Sequence, residues 1–151
     1  MPISIEATAT STASPEAIFR HVAVAEAWNV WGRLPGKARR ERPGVGEPDG
    51  VGAVRAIWPA REEVVAYDPP RHYAYRLLRG LPVREYRADV RLESRDGGGT
   101  LVRWQGRVEP LIPGTAPLIR RLFTRVLTRL ATGVAAHSTT CGPDCPAYSA
   151  P

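Results

Sequence analysis

Leu118-Ile119-Arg120-Arg121-Leu122-Phe123-Thr124-Arg125-Val126-Leu127-Thr128-Arg129-Leu130-Ala131-Thr132-Gly133-Val134-Ala135 carries the longest periodic pattern in the chain. Leu118, Ile119, Leu122, Phe123, Val126, Leu127, Leu130, Ala131, Val134 and Ala135 recur at intervals of three and four residues. That spacing stacks them on one side of an α-helix. Arg120, Arg121, Arg125 and Arg129 fall off the stripe. Thr115 is placed to cap the start, and Pro117 lies in the first turn, where a missing N–H costs nothing. A helix over about 116–136 would be roughly 30 Å long at 1.5 Å per residue. Its stripe needs an apolar surface of similar length, which the preceding residues must supply.

Those residues read as strands. Segments at about 38–43, 51–58, 61–67, 71–79, 83–94 and 99–109 are separated by Pro48-Asp49-Gly50, Pro59, Asp68-Pro69-Pro70, Gly80-Leu81-Pro82 and Asp96-Gly97-Gly98-Gly99. Connections this short make consecutive hairpins and an antiparallel sheet. Tyr86, Ala88, Val90 and Leu92 share one face, and Arg87, Asp89, Arg91 and Glu93 the other. Val102, Trp104, Gly106 and Val108 likewise oppose Leu101, Arg103, Gln105 and Arg107. The sheet has one dry face and one wet face, and the dry face is the partner for the helix.

Further upstream, Ile3, Ile5, Ala7 and Ala9 alternate with Ser4, Glu6, Thr8 and Thr10, the period of a half-buried strand. Ser14-Pro15-Glu16 combines an N-cap, a proline at the first helical position and an early carboxylate. Ala25 to Trp31 forms a second short helix closed by Gly32 and Leu34-Pro35-Gly36. The order is therefore α+β: one strand, two short helices, about six further antiparallel strands and one long helix. A long antiparallel sheet twists and curls, so a single helix leaves apolar space beneath it.

This order resembles the helix-grip fold of the START/Bet v 1-like (SRPBCC) superfamily, in particular bacterial polyketide cyclase/dehydrase and lipid-transport proteins. Ser14-Pro15-Glu16-Ala17-Ile18-Phe19 resembles the family's first-helix start and Ala27-Trp28-Asn29-Val30-Trp31 its second helix. Gly50-Val51-Gly52-Ala53, Tyr67-Asp68-Pro69-Pro70-Arg71-His72-Tyr73-Ala74-Tyr75 and Gly99-Thr100-Leu101-Val102-Arg103-Trp104 are similar to its strand motifs. The likeness runs from residue 1 to about 137. The resemblance implies one ligand-binding domain over 1–137, with a pocket for a lipid, a polyketide or another hydrophobic molecule. It supplies no catalytic constellation, because members share a pocket more than a reaction. Residues 138–151 lose all periodicity and read as a flexible tail.

Composition narrows the class. With 151 residues, 43% hydrophobic and 24% charged, the chain is sized and mixed for one globular domain. Met1-Pro2-Ile3-Ser4-Ile5-Glu6 lacks the flank and apolar stretch of a signal peptide, and no run approaches the ~18 apolar residues of a membrane span. The expectation is a soluble cytoplasmic protein without stable membrane insertion, whether monomer or homodimer. The net charge of +6 comes from 20 arginines and Lys37. They are dispersed and alternate with apolar residues, whereas a nucleic-acid stripe would cluster them beside stacking aromatics. No nucleic-acid partner is expected.

Candidate chemistry is sparse. No glycine-rich loop opens a helix, and no Gly-x-Ser-x-Gly elbow exists, so no cofactor is expected. His21 is expected at the solvent side or end of its helix, and His72 near a sheet edge; either could act as a general base. In the tail, His137, Cys141, Asp144 and Cys145 include zinc-type donors. Their spacing is not a knuckle and a loose tail offers no closed outer shell, so no metal site is expected and the cysteines read as free thiols. Glu62 and Glu63 point to opposite faces; one faces inward and needs a partner, Arg55 or Arg103, with a surface ion pair at a strand edge as the plainer reading. The aromatics are the richest group. Tyr75, Tyr86, Trp104 and Phe123 are expected to face the cavity, with Trp28 and Trp31 at its mouth. A tyrosine, arginine or histidine there could serve a cyclase or dehydrase, and a regulatory protein-interaction role is the remaining alternative.

Overall fold

A computed structural model gives the structure of residues 2–149. Strand β1 (Ile3–Ser11) leads into α1 (Pro15–Ala23), a single 3-10 turn (Ala25–Ala27) and α2 (Trp28–Trp31). Six strands follow: β2 (Ala38–Arg42), β3 (Val54–Ile57), β4 (Ala60–Asp68), β5 (His72–Arg79), β6 (Val83–Ser94) and β7 (Thr100–Pro110). Helix α3 (Ala116–His137) closes the fold. The seven strands form one antiparallel sheet in the order β1-β7-β6-β5-β4-β3-β2. Every pair but one is a hairpin; the exception returns the first strand to the last. This is the helix-grip α+β architecture that the element order implies.

Local chemistry accounts for the element ends. Ser14 accepts a hydrogen bond from the Ala17 N–H at 3.2 Å and caps α1 ahead of Pro15. Thr115, expected to cap α3, does not: its hydroxyl donates back to the Ile112 carbonyl at 2.6 Å, leaving that helix without a side-chain cap.

The dry face holds Ile3, Ile5, Ala7, Tyr73, Tyr75, Tyr86, Ala88, Val90, Leu92, Val102, Trp104 and Val108, all buried. Leu127, Leu130, Ala131, Val134 and Ala135 of α3 press onto it. The contact is close over β7, where a Cβ on Gly106 would lie 3.0 Å from Leu127 Cδ1 and 3.1 Å from Ile5 Cγ1. A bulkier residue there would lift the helix. The wet face carries ion pairs, including Arg103–Glu6 at 2.9 Å, Arg76–Glu63 at 2.8 Å and Arg87–Asp89 at 3.0 Å.

Three expectations need correction. Leu118 and Leu122, read as part of the buried stripe, are 66% and 51% exposed. They lie at the edge of the stripe near the start of α3, where the helix reaches past the sheet's cover. His21 is not at the solvent side: it is 2% exposed and its ring meets His137 edge-on, with centroids 5.0 Å apart. The segment after α3 is not loose over its described part. Cys145 and Ala147 are buried in the core, and Arg20 Nε donates to the Ala147 carbonyl at 3.4 Å. Sequence periodicity cannot report contacts made by an aperiodic segment lying back across α1.

Candidate functional site

Beneath the N-terminal half of α3 the curved sheet and the helix do not meet, and a cavity of about 260 Å³ remains. Ile119, Phe123, Val126 and Leu130 form its roof. Tyr75 and Tyr86 rise from β5 and β6, Ile57, Ala60 and Glu62 from the β3–β4 hairpin, and Trp28 from α2. Leu34, Pro35, Trp58, Pro59, Leu81 and Pro82 surround the opening with Leu122. Trp58 is 59% exposed, so an apolar rim stands in solvent. A larger furrow of about 940 Å³ runs along the outer side of α3, between it and the end of α2. Thr124, Thr128, Thr132, Arg125 and Arg129 line it together with Val30 and Trp31.

Of the six aromatics singled out from the sequence, Trp28, Tyr75, Tyr86 and Phe123 line the cavity. Trp28 is inside it rather than at its mouth. Trp31 and Trp104 are not lining residues. Trp31 packs behind Trp28 with ring centroids 4.8 Å apart and donates to the His21 carbonyl at 3.1 Å. Trp104 lies under both, 5.7 Å from Trp28 and 6.3 Å from Trp31. The α2 tryptophans thus cover the Trp104 part of the dry face, while the Tyr86 part stays open beneath α3, where Phe123 meets it at 5.0 Å.

The polar groups at the cavity lining are few: a linked pair of tyrosine hydroxyls, Glu62, and Arg129, which also lines the furrow along α3. Trp104 Nε1 donates to Tyr75 Oη at 3.3 Å, and the Tyr75 and Tyr86 hydroxyls are bonded to each other at 3.3 Å. Whichever of the two donates, only one phenolic hydrogen is used, and the other has no protein acceptor among the described residues. Burial pushes the hydroxyls of Tyr73, Tyr75 and Tyr86 above their ordinary ionisation range, so all remain neutral donors at neutral pH.

Glu62 is the second polar group at the lining. It is the inward one of the two neighbouring acids, and its partner is Arg55. The pair is not at the surface: the side chains are 1% and 6% exposed. Arg55 Nη1 also donates to the Val22 carbonyl at 2.8 Å, and its guanidinium lies 4.8 Å from Trp28, 5.1 Å from Tyr73 and 5.5 Å from Tyr75. Burial pushes the Glu62 carboxyl up, and Arg55 pulls it part of the way back. Arg103, the other suggested partner, is on the wet face with Glu6 and Glu93. Hairpin geometry was the missed signal. A two-residue turn at 58–59 sets Ile57 opposite Ala60 and hence Arg55 opposite Glu62, both on the inward face.

His72, weighed as a general base, faces away from the cavity. Its Nε2 is 2.7 Å from Asp89 Oδ2 on the outer face of the sheet.

Solved structures share this architecture. A START superfamily protein from Mycobacterium smegmatis matches with a TM-score of 0.76 at 17% identity, over 91% of this chain and 97% of that one. A Thalictrum flavum norcoclaurine synthase point mutant, in complex with a transition-state analogue, gives 0.68 at 16% identity over 93% and 96%. Ara h 8.0201 gives 0.62 at 15% identity over 93% and 100%. No curated protein matches the sequence. A family model described as polyketide cyclase / dehydrase and lipid transport matches residues 2–139. With nearly all of its length matched, the chain belongs to the polyketide cyclase/dehydrase and lipid transport family.

Proposed function

We propose that the protein binds a hydrophobic small molecule in the cavity between the sheet and α3. The observation that carries this reading is an apolar, aromatic-walled void with one spare phenolic donor, the Glu62 carboxylate and Arg129 at its lining. That is the composition of a ligand pocket: apolar walls for affinity, few polar groups for orientation. At about 260 Å³ it falls just below the usual range of roughly 300–1,000 Å³. A one- or two-ring compound or a short acyl chain suits it better than a long lipid. The polar tips favour an occupant carrying a hydroxyl or carbonyl at one end.

The test is a titration of isotope-labelled protein with a panel of small aromatics and short acyl chains, read by amide chemical shifts. Saturable shifts are expected at 57–62, 75, 86 and 119–130. No saturable shifts, or shifts confined to the outer furrow of α3, would refute the reading. Native mass spectrometry of freshly purified protein, followed by organic extraction, would identify a retained ligand.

A second reading, a cyclase or dehydrase, is favoured by Glu62. A buried carboxylate whose basicity is raised by desolvation can take a proton from carbon beside a carbonyl. The spare tyrosine O–H would then hydrogen-bond the oxygen that gains charge. Loss of turnover of a polyketone in both Glu62→Gln and Tyr86→Phe, with ligand binding retained, would distinguish catalysis from carriage.

A further inference from the structure

Two turns beyond the cavity roof, at the end of α3, four metal-type donors converge. The ligand atoms of His21, His137, Cys141 and Cys145 all lie within 4.8 Å of one another. They come from three separate places: the last turn of α1, the last residue of α3 and the segment that follows it. Asp144, which the sequence places among them, is exposed and outside the set.

The imidazoles are prepared for ligation. His21 is 2% exposed, and its Nδ1 is 2.7 Å from the Ala17 carbonyl. A carbonyl only accepts, so Nδ1 carries the proton and Nε2 keeps its lone pair. A ring nitrogen held by a backbone carbonyl is the usual outer-shell support of a metal-bound histidine. His21 Nε2 and His137 Nε2 are both buried with no hydrogen-bond partner. Such orphaned nitrogens are uncommon in a packed interior and call for an explanation. On the thiol side, Gly142-Pro143-Asp144 makes a turn in which the Cys145 N–H meets the Gly142 carbonyl at 3.0 Å, bringing the two sulfurs to one side.

The donor set selects the ion. Two thiolates and two imidazoles in a tetrahedron suit zinc, a d¹⁰ ion of intermediate softness. Each thiol releases one proton on binding, so two thiolate charges balance a divalent cation. Zinc–sulfur and zinc–nitrogen bonds require donor separations of roughly 3.3–3.8 Å. The present spread therefore needs to close by about 1 Å, a shift within reach of the half-buried Cys141 and His137 side chains. We propose that His21, His137, Cys141 and Cys145 bind one zinc-class divalent ion that fastens the C-terminal segment and the end of α3 onto α1. With four protein donors the coordination is closed, which makes the ion structural rather than catalytic. The site stands independently of what the cavity binds.

The experiment uses the untagged, freshly reduced full chain and titrates it with Co²⁺ alone, read by absorption, then with Zn²⁺ as competitor. One Co²⁺ per chain is expected, with thiolate-to-metal charge transfer and tetrahedral ligand-field bands that one equivalent of Zn²⁺ abolishes. Cys141→Ser and His137→Ala, at half-buried positions, should weaken binding more than the roughly 10–100-fold that loss of an outer-shell partner brings. Asp144→Asn should bind like the wild type. The inference is overturned by non-stoichiometric binding, by a thiolate-free spectrum, or by equal affinity in folded Cys141→Ser protein. It is also overturned if the purified chain carries a Cys141–Cys145 disulfide by mass and, once reduced, takes up no metal.

Discussion

Removing either member of the Arg55–Glu62 pair should be the most damaging polar substitution in the domain. Glu62→Leu leaves a guanidinium that is 1% exposed with only the Val22 carbonyl and three aromatic faces around it. Breaking a buried pair in this way costs about 3–5 kcal/mol. In a domain of this size each kilocalorie moves the unfolding midpoint by about 2–4 °C, so a fall of roughly 6–20 °C follows. Glu63 provides the internal control. It is one residue away on the opposite face, paired with the exposed Arg76 and Arg42, and Glu63→Gln should cost no more than about 1 kcal/mol. Replacing both partners, Arg55→Met with Glu62→Leu, removes the stranded charge and should cost far less than the two single changes added together.

The two single substitutions should also differ in their response to pH. An arginine side chain cannot shed its charge, so the guanidinium stranded by Glu62→Leu adds no pH dependence of its own between about pH 5 and 8. Arg55→Met strands a carboxyl instead, and burial raises its folded pKa above the unfolded value. The native state then holds a proton that the unfolded chain has released, so stability is retained at low pH and lost as pH rises through the folded pKa. Urea unfolding followed by circular dichroism at several pH values measures all of these. Glu62→Leu within about 1 kcal/mol of wild type, or a double variant equal to the sum of the singles, would refute the buried-pair argument.

Two further outcomes follow from the same packing. Tyr67, Tyr73, Tyr75 and Tyr86 all have pKa values raised above the ordinary 10, burial being the first cause in each. The unfolded chain therefore releases these protons first, and stability should fall as pH rises above 10; phenolate absorbance rising gradually, well before unfolding, for the three fully buried rings would contradict their burial. Gly133→Ala should destabilise the fold by about 1–3 kcal/mol although alanine is the better helix former. A Cβ there would lie 2.9 Å from the Trp31 carbonyl oxygen, where α2 crosses α3, and an unchanged thermal midpoint would show that the crossing has slack.

The tyrosine and phenylalanine part of the site was legible because alternation reports faces. Tyr75 stands between Ala74 and Arg76, Tyr86 between Glu85 and Arg87, and Phe123 is centred in the helical stripe, so all three had to point between sheet and helix. Trp104 obeys the same alternation yet lines nothing. Face is local, whereas depth depends on what covers that face, and here Trp28 and Trp31 cover it. The polar lining was only half legible. The alternation of Glu62 with Glu63 showed that one acid turned inward, but whether Arg55 met it in the interior depended on hairpin register and on how far the sheet curls.

Sequence by itself determined the element order, the wet and dry faces of each strand, and the long helix, because these rest on periodicity and turn chemistry within a few residues. Tertiary structure decided where the helix and sheet part company. The void opens where α2 offers no cover and α3 overhangs, at a place set by the summed twist of seven strands. It also decided that His21, more than a hundred residues from His137 and the two cysteines, should share their corner. No local pattern encodes a meeting of that span: it comes from the return of an aperiodic segment across α1, after every periodic element has been placed.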